Sequence, residues 1–533
     1  MSQITSIPSF TAGALRHTHI ASKEVRERVL KMVQYNVFSF PAALVVADFL
    51  SDSGTAAMTS GQWSAIMQGD ESYGRNDGYY YFLEALRDIF ERGDNRLNTY
   101  REYLLDFNVD TYLERFLKYQ EGGFVNGGSA QLTRPNTFIV PQGRCAESLL
   151  FHATAAGFDR GTAHPPAIIS NGFFDTTSAN AKAAGFSLHP FSQEGCMEAR
   201  HVPEWRSENS FKGNMNTSAA EQFLSTQKQR GNVALIVLTV TNNTAAGQPV
   251  SMENIKEVSR LSQTYGVPLL LDACRFAENA MFIKLFEKNY SQTSINEIVR
   301  EMFSYADGFT ISLKKDGLAN IGGVLCLRDG GMLTTKYPDM GVKIREEQIT
   351  RYGNDSYGGM SGRDLMAATV GLYEGTNENY LMSRLDQVKR FAEKLSEADL
   401  PVILPPGGSA IFLDMDAFFQ DCTRHYKDFP GVGFTLELLS TYGIRSFELG
   451  PFALEWDRSE HQDSRENATP NLVRFAVPRN ALTDQHLDYT VSAIKELKER
   501  RHTIGGARIT HGKNLSLRHF QSALEPIPVD SMT

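Results

Sequence analysis

The sequence predicts an α/β protein built on a mostly parallel sheet, and three observations carry that prediction. The runs Val233-Ala234-Leu235-Ile236-Val237-Leu238 and Leu269-Leu270-Leu271 are continuously apolar, as strands covered on both faces must be. Helical patterns stand between such runs, among them Met252 to Tyr265, which gives the strand–helix alternation of a parallel sheet. The chain has 533 residues, 41% hydrophobic and 22% charged, enough for a large core and two domains.

Taken in order, Lys23 to Tyr35 has helical spacing of Val25, Val29, Leu30 and Val33 and runs into an extended segment that ends at Leu50. Leu50-Ser51-Asp52-Ser53-Gly54-Thr55 is dense in hydroxyls, as a helix cap or as a loop that offers polar groups to a ligand. Gln68-Gly69-Asp70-Glu71-Ser72-Tyr73-Gly74 sets a carboxylate and a phenol in a glycine-flanked loop before a helix carrying Tyr80, Phe82, Leu83, Leu86, Ile89 and Phe90. The stretch from about 94 to 133 reads as an inserted subdomain or loop. Short strands follow at Thr137-Phe138-Ile139-Val140 and Ala167-Ile168-Ile169-Ser170. The first leads through Gln142-Gly143-Arg144 into a helix, and a helix N-terminus with a neighbouring cation suits a phosphate. Phe173-Phe174-Asp175 ends the second, where phenylalanines are most often core but one can stack on a planar ligand.

The decisive stretch is Ile311-Ser312-Leu313-Lys314-Lys315-Asp316-Gly317, between a strand ending at Ile311 and another from Ile321 to Leu327. A lysine is ordinarily a solvated surface charge. Here the buried strand that ends at Asp272, with Arg275 just beyond, gives the pair another meaning. Asn243, Asp272 and Lys315 all fall at strand carboxyl ends, where ligands of parallel sheets bind. A strand-end aspartate, an arginine and a downstream lysine form the layout of a pyridoxal phosphate site. The amine holds the aldehyde, and the aspartate keeps the ring nitrogen protonated.

Composition narrows the classes. A net charge of −9 with no long basic block argues against nucleic acid or an anionic membrane as partner. Cys145, Cys196, Cys274, Cys326 and Cys422 are scattered without a metal-ligand pair, as expected of reduced thiols in a cytoplasmic protein. The first 25 residues lack the apolar core of a signal peptide, and Phe40 to Ala47 is too short to span a bilayer.

Several motifs in collinear order resemble the β-eliminating lyases. They are Asp52-Ser53-Gly54-Thr55, Gly69-Asp70-Glu71-Ser72-Tyr73, Gln142-Gly143-Arg144, Gln248-Pro249-Val250-Ser251, Asp272-Ala273-Cys274-Arg275-Phe276-Ala277-Glu278-Asn279, Ser312-Leu313-Lys314-Lys315-Asp316, Tyr357-Gly358-Gly359 and Gly443-Ile444-Arg445-Ser446. The resemblance implies a fold-type-I pyridoxal phosphate enzyme, whose large domain holds a mostly parallel seven-stranded sheet beside a smaller α+β domain. It places residues 60–370 in the large domain, with the insert, and residues 1–59 with 371–533 in the small one. Lys315 is then the cofactor-binding lysine and Asp272 the partner of the ring nitrogen. Arg275 and Asn243 face the ring hydroxyl, and Phe174 stacks on the ring. Gln142, Gly143, Arg144, Ser312 and Lys314 surround the phosphate. Arg445, helped by Ser51 and Ser53, binds the substrate carboxylate. Tyr73 is the general acid, and Glu71 with the carbonyls of Gly54 and Asn320 holds a potassium ion. A homodimer, or a homotetramer formed as a dimer of dimers, is expected by analogy.

The family has a branch acting on tryptophan and one acting on tyrosine. Tyrosine-cleaving members carry a threonine after the stacking phenylalanine and an arginine for the phenol oxygen. This chain has Asp175, an acceptor suited to an indole N–H, and Leu413-Asp414-Met415-Asp416-Ala417 lacks the arginine. Leu517-Arg518-His519-Phe520 also resembles the tryptophan branch, although a lone C-terminal histidine is ordinarily a surface residue. The resemblance thus implies elimination of indole from L-tryptophan, leaving pyruvate and ammonia. Ser409 replaces a family histidine and Ser51 a threonine, and the insert is additional. The rival readings are a lyase for tyrosine or another β-substituted amino acid, an aminotransferase, and a non-catalytic homologue that serves as a binding protein.

Overall fold

The computed structural model describes residues 9–11, 15–91, 124, 135–158, 165–197, 211–228, 232–457 and 469–532. Apart from Phe124, the insert expected at about 94–133 lies outside the described residues. The chain divides into two compact units at 55/56 and 383/384, where the sequence reading put 59/60 and 370/371. The larger takes in Ala56–Cys196 and Ser210–Ser383, and the smaller takes in Phe10–Thr55 and Arg384–Thr533.

The larger unit is built on a seven-stranded sheet. Its strands are β1 (Thr137–Val140), β2 (Ala167–Ser170), β3 (Ser187–Pro190), β4 (Val233–Thr239), β5 (Leu269–Asp272), β6 (Gly308–Ser312) and β7 (Gly323–Leu327), in the order β1-β7-β6-β5-β4-β2-β3. Only β7 runs against its neighbours β1 and β6. All seven residues of β4 are buried, because parallel neighbours flank it and helices cover both faces. Against one face pack Leu149, Leu150 and Phe151 of the helix Gly143–Ala155, with Phe138, Leu235, Leu270 and Leu325 of the sheet. Met252–Tyr265 is a helix for visible reasons. Ser251 caps its start, Gly266 ends it at φ +64°, and Met252, Ile255, Val258 and Leu261 bury one face.

The smaller unit has an antiparallel sheet of β8 (Ala410–Asp414), β9 (Phe447–Leu449) and β10 (Leu472–Ala476), with β10 in the middle. Phe391, Leu395, Phe434, Leu438 and Ile494 from its helices pack on Leu413 and Phe475. The helix Pro430–Tyr442 lies close to the hairpin of β11 (Gly506–His511) and β12 (Ala523–Ile527): a Cβ on Gly433 would stand 2.0 Å from the carbonyl oxygen of Gly505. The extended segment before Leu50 is pinned by a short parallel ladder, Ala47–Asp48 beside Ile444–Arg445. Among the described residues no helix is long and apolar enough to cross a membrane.

Candidate active site

In the larger unit, five strands deliver the expected cofactor residues at their carboxyl ends. After β1 the chain turns at Gln142 directly into the helix Gly143–Ala155, whose first turn has no side-chain cap. A Cβ on Gly143 would lie 2.9 Å from the Cβ of Ser312, so glycine lets the helix start against the end of β6. Arg144, Lys314 and Lys315 gather there. The Lys314 ammonium is pushed below its usual range by burial first, then by the charges of Lys315 and Arg144. A helix N-terminus with gathered cations suits an anion as a cradle.

The turn after β6 is held from below. Asp316 accepts the N–H groups of Ala277 and Glu278 at 2.8 and 3.0 Å, capping the helix Phe276–Phe286, while the Ala319 N–H reaches the Leu313 carbonyl at 3.1 Å. Lys315 therefore sits on a fixed loop. Beside it, Asp272 ends β5 almost fully buried. Burial raises its carboxyl above the usual range, against the opposing effects of the Cys274 thiol, Lys315 and Arg275. Cys274 Sγ donates to Asp272 Oδ1 at 3.3 Å and accepts the Ser312 N–H at 3.3 Å.

After β4, Asn243 is buried and, among the described residues, its Oδ1 has no hydrogen-bond partner. After β2, Phe174 stands at the N-cap of the helix Asp175–Ala183, and Asp175 Oδ1 accepts the Thr176 N–H at 2.6 Å. These features fit pyridoxal phosphate. The cradle matches a phosphate, the orphaned Asn243 oxygen a ring hydroxyl, and the buried Asp272 a protonated ring nitrogen that offsets its desolvation. Tyr73 is 72% exposed, its ring 5.6 Å from that of Tyr357, whose hydroxyl contact raises its phenol above the usual range. Glu71 pairs with Arg363 at 3.1 Å, and the side chain of Asn320 donates to the Ala56 carbonyl at 3.2 Å. Among the described residues no cluster of three or more His, Cys, Asp or Glu is disposed to hold a metal.

In the smaller unit, the guanidinium of Arg445 is held by the protein itself. Its Nε donates to Asp48 Oδ1 at 3.1 Å and its Nη2 to Asp48 Oδ2 at 2.5 Å, while Nη1 reaches the Phe40 carbonyl at 2.8 Å. The Leu50–Thr55 segment is a loop, not a helix start. Ser51 Oγ accepts the Ser53 N–H at 3.1 Å, and Asp52 between them pairs with the fully buried Arg479 at 2.9 Å. Gly54 adopts φ +74° in the same loop. His519 departs from the surface position ordinary for such a histidine. It is 2% exposed, its ring 4.3 to 5.8 Å from those of Phe520, Phe447 and Phe38. Ser409, which also departs from the family pattern, is buried, and among the described residues its hydroxyl has no partner.

Known proteins resemble this chain along most of its length. The family model described as "Beta-eliminating lyase" matches residues 48–493. The chain belongs to the β-eliminating lyase family. It is 37% identical over 527 residues to a tryptophanase of Salinibacter ruber, covering 98% of this chain and 96% of the relative. It is also 33% identical over 509 residues to a tyrosine phenol-lyase of Lacrimispora saccharolytica, covering 95% and 94% of the two. Among solved structures, an aspartate aminotransferase of Thermotoga maritima superposes with a TM-score of 0.51 at 12% identity, covering 90% of this chain and 97% of that one. That likeness concerns the fold and bears out the type-I architecture.

Within this β-eliminating lyase, structural partners emerge that the sequence reading left without roles: Cys274 and Asp316 inside motifs, and Glu147 and Asp48 three and four positions outside one. Their partners, such as Thr177 for Glu147 and Arg445 for Asp48, become visible only in three dimensions.

Proposed function

We propose that this lyase eliminates indole from L-tryptophan, leaving pyruvate and ammonia, with pyridoxal phosphate bound to Lys315. The observation that carries the reading is Asp175, a carboxylate one residue beyond the stacking position Phe174 and built into the first turn of a helix at the rim of the sheet. A carboxylate accepts the indole N–H, whereas a phenol oxygen calls for a donor. The greater identity to the tryptophanase than to the tyrosine phenol-lyase, 37% against 33%, supports the same choice.

The bound cofactor supplies an electron sink for the electron pair left when the substrate's α-proton is removed. The protein does the rest. The N–H groups at Gly143, with Arg144, Ser312, Lys314 and the Gln142 side chain, hold the phosphate. Asp272 keeps a proton on the ring nitrogen, and Asn243 and Arg275 meet the ring hydroxyl. Arg445 takes the α-carboxylate by exchanging one of the acceptors that now hold its guanidinium, with Ser51 and Ser53 beside it. The Lys315 amine removes the α-proton. Tyr73 delivers a proton to the indole ring carbon, Asp175 holds the ring N–H, and His519 shapes the apolar surroundings. Glu71, Gly54 and Asn320 bind potassium, which requires Glu71 to exchange its Arg363 partner for the ion. The assembly is a cytoplasmic homotetramer.

The test is the absorption spectrum of the purified protein with potassium, before and after L-tryptophan, with indole and pyruvate assayed. A visible cofactor band, indole release, and loss of both in Lys315→Ala are expected. A cofactor band with phenol released from L-tyrosine and no indole from tryptophan would overturn the substrate assignment, and no band at all would overturn the enzyme.

A further inference from the structure

Glu147 is a buried acid that the reaction above does not use. It lies on the helix Gly143–Ala155, one turn beyond the anion cradle, and is 7% exposed. Its carboxylate accepts three hydrogen bonds from a single neighbouring element. Thr177 Oγ1 donates to Oε1 at 2.5 Å, Thr176 Oγ1 to Oε2 at 3.1 Å, and Asn180 Nδ2 to Oε2 at 3.3 Å. Asn180 also donates to the Arg144 carbonyl at 3.3 Å.

All three donors belong to the helix Asp175–Ala183, and two of them directly follow Asp175. That helix has only 9 residues and no side-chain cap at Phe174, so its first turn lacks the usual local anchor. Glu147 supplies one from outside, placing negative charge by the helix N-terminus, where the backbone dipoles favour it. Asp175 is folded onto the same turn through the Thr176 N–H. Any shift of Thr176 and Thr177 therefore moves Asp175 and Phe174 with them.

We propose that Glu147 is a positioning residue for the leaving-group end of the site, locking the Phe174–Asp175 turn to the helix that carries the anion cradle. The inference rests on the elimination reading above. It also explains why a carboxyl is kept in an apolar layer. Burial and the neighbouring Asp272 push its pKa to about 7, opposed by the Thr177, Thr176 and Asn180 bonds, and Cys145 is the other titratable group it acts on. Such a site is occupied at a stability penalty, which is common where function sets the residue.

The experiment compares the cofactor-loaded wild type with Glu147→Gln and Glu147→Ala by two readouts. Hydrogen exchange at the amides of residues 174–177 reports the lock itself. Faster exchange there in both variants, with the β4 amides unchanged, is expected. The second readout is kcat/KM for L-tryptophan against β-chloro-L-alanine, whose chloride leaves without a proton or an N–H acceptor. The tryptophan value should fall about tenfold to a hundredfold in Glu147→Ala, as lost hydrogen bonds to a charged group predict, less in Glu147→Gln, with β-chloroalanine nearly unaffected. Equal losses on both substrates, or unchanged exchange at 174–177, would overturn the assignment of Glu147. A wild type that turns over neither compound would remove the elimination reading and the leaving-group role together, whatever the exchange data show.

Discussion

Replacing Arg479 by methionine should destabilise the smaller unit by about 3–5 kcal/mol, the usual consequence of removing one partner of a buried ion pair. The magnitude follows from the burial on both sides. The Arg479 side chain is 0% exposed and that of Asp52 4%, with Nη1 2.9 Å from Oδ2, and Nη1 reaches the Asp52 carbonyl at 3.3 Å as well. Methionine fills much of the same volume, so packing changes little, but the buried Asp52 carboxylate loses the Arg479 guanidinium that offsets its burial. The double variant Arg479→Met, Asp52→Leu removes the stranded charge too and should recover most of the loss, because two desolvation penalties disappear with the pair. The assay is chemical denaturation of the loaded protein, read as a shift in midpoint at constant slope. Since Asp52 lies between Ser51 and Ser53, the single variant should also raise KM for the amino acid more than it lowers kcat. A single variant within about 1 kcal/mol of wild type, or a double variant no more stable than the single, would refute the reasoning, since a pair that matters by charge must show both effects.

Two further predictions concern titration. Cys274→Ala removes a hydrogen bond that favours the ionised Asp272, so its carboxyl should rise further; the acid limb of the pH–rate profile moves to higher pH and pyridoxal phosphate binds several-fold more weakly, with Cys274→Ser restoring both, as a spectrophotometric cofactor titration would record. Glu448, fully buried and accepting the N–H groups of Phe452 and Ala453, is raised from 4.5 to about 7 by burial. The folded state thus holds this proton more tightly than the unfolded state, and the contribution to stability is greatest below pH 4.5, declines up to about pH 7 and is flat above. Glu448→Gln should flatten that decline when denaturation midpoints are compared below and above the window.

What was legible in the sequence was set by local signals. β4 and β5 announce themselves as apolar runs and β6 as a short strand, and a polar residue just beyond such a strand stands at its carboxyl end, which is why Asn243, Asp272 and Lys315 were readable as a group. The edge strand β3, Ser-Leu-His-Pro, has neither a run nor an alternation because it pairs on one side only and is partly exposed. The helix Pro430–Tyr442 begins Pro-Gly-Val-Gly, a composition of turns; close packing of Gly433 against Gly505 and of Gly431 against Glu448 selects those glycines and overrides helix propensity. Partnerships across the chain left no trace. Asp52 and Arg479 are 427 positions apart, and the aromatic surroundings of His519 include Phe38 near the other end.

The distribution of cations separates what holds the fold from what binds the ligand. In the smaller unit the buried arginines are answered by the protein itself: Arg479 by Asp52, Arg445 by Asp48, Arg518 by Asp457 and the carbonyls of Phe452 and Pro451. In the larger unit Arg144, Lys314 and Lys315 are brought together, and among the described residues neither lysine forms an ion pair; Lys314 titrates below its usual range partly because of its two cationic neighbours. Like charges held together oppose folding. An anion that binds there relieves the repulsion, and its binding free energy is added to the stability of the unit. The fold can carry that repulsion because the turn bearing the lysines is fastened elsewhere, through Asp316 to the N-terminus of the helix Phe276–Phe286. Repulsion confined to a rigid turn at a strand end is what a phosphate site requires, and a surface pair of lysines would relieve it by moving apart.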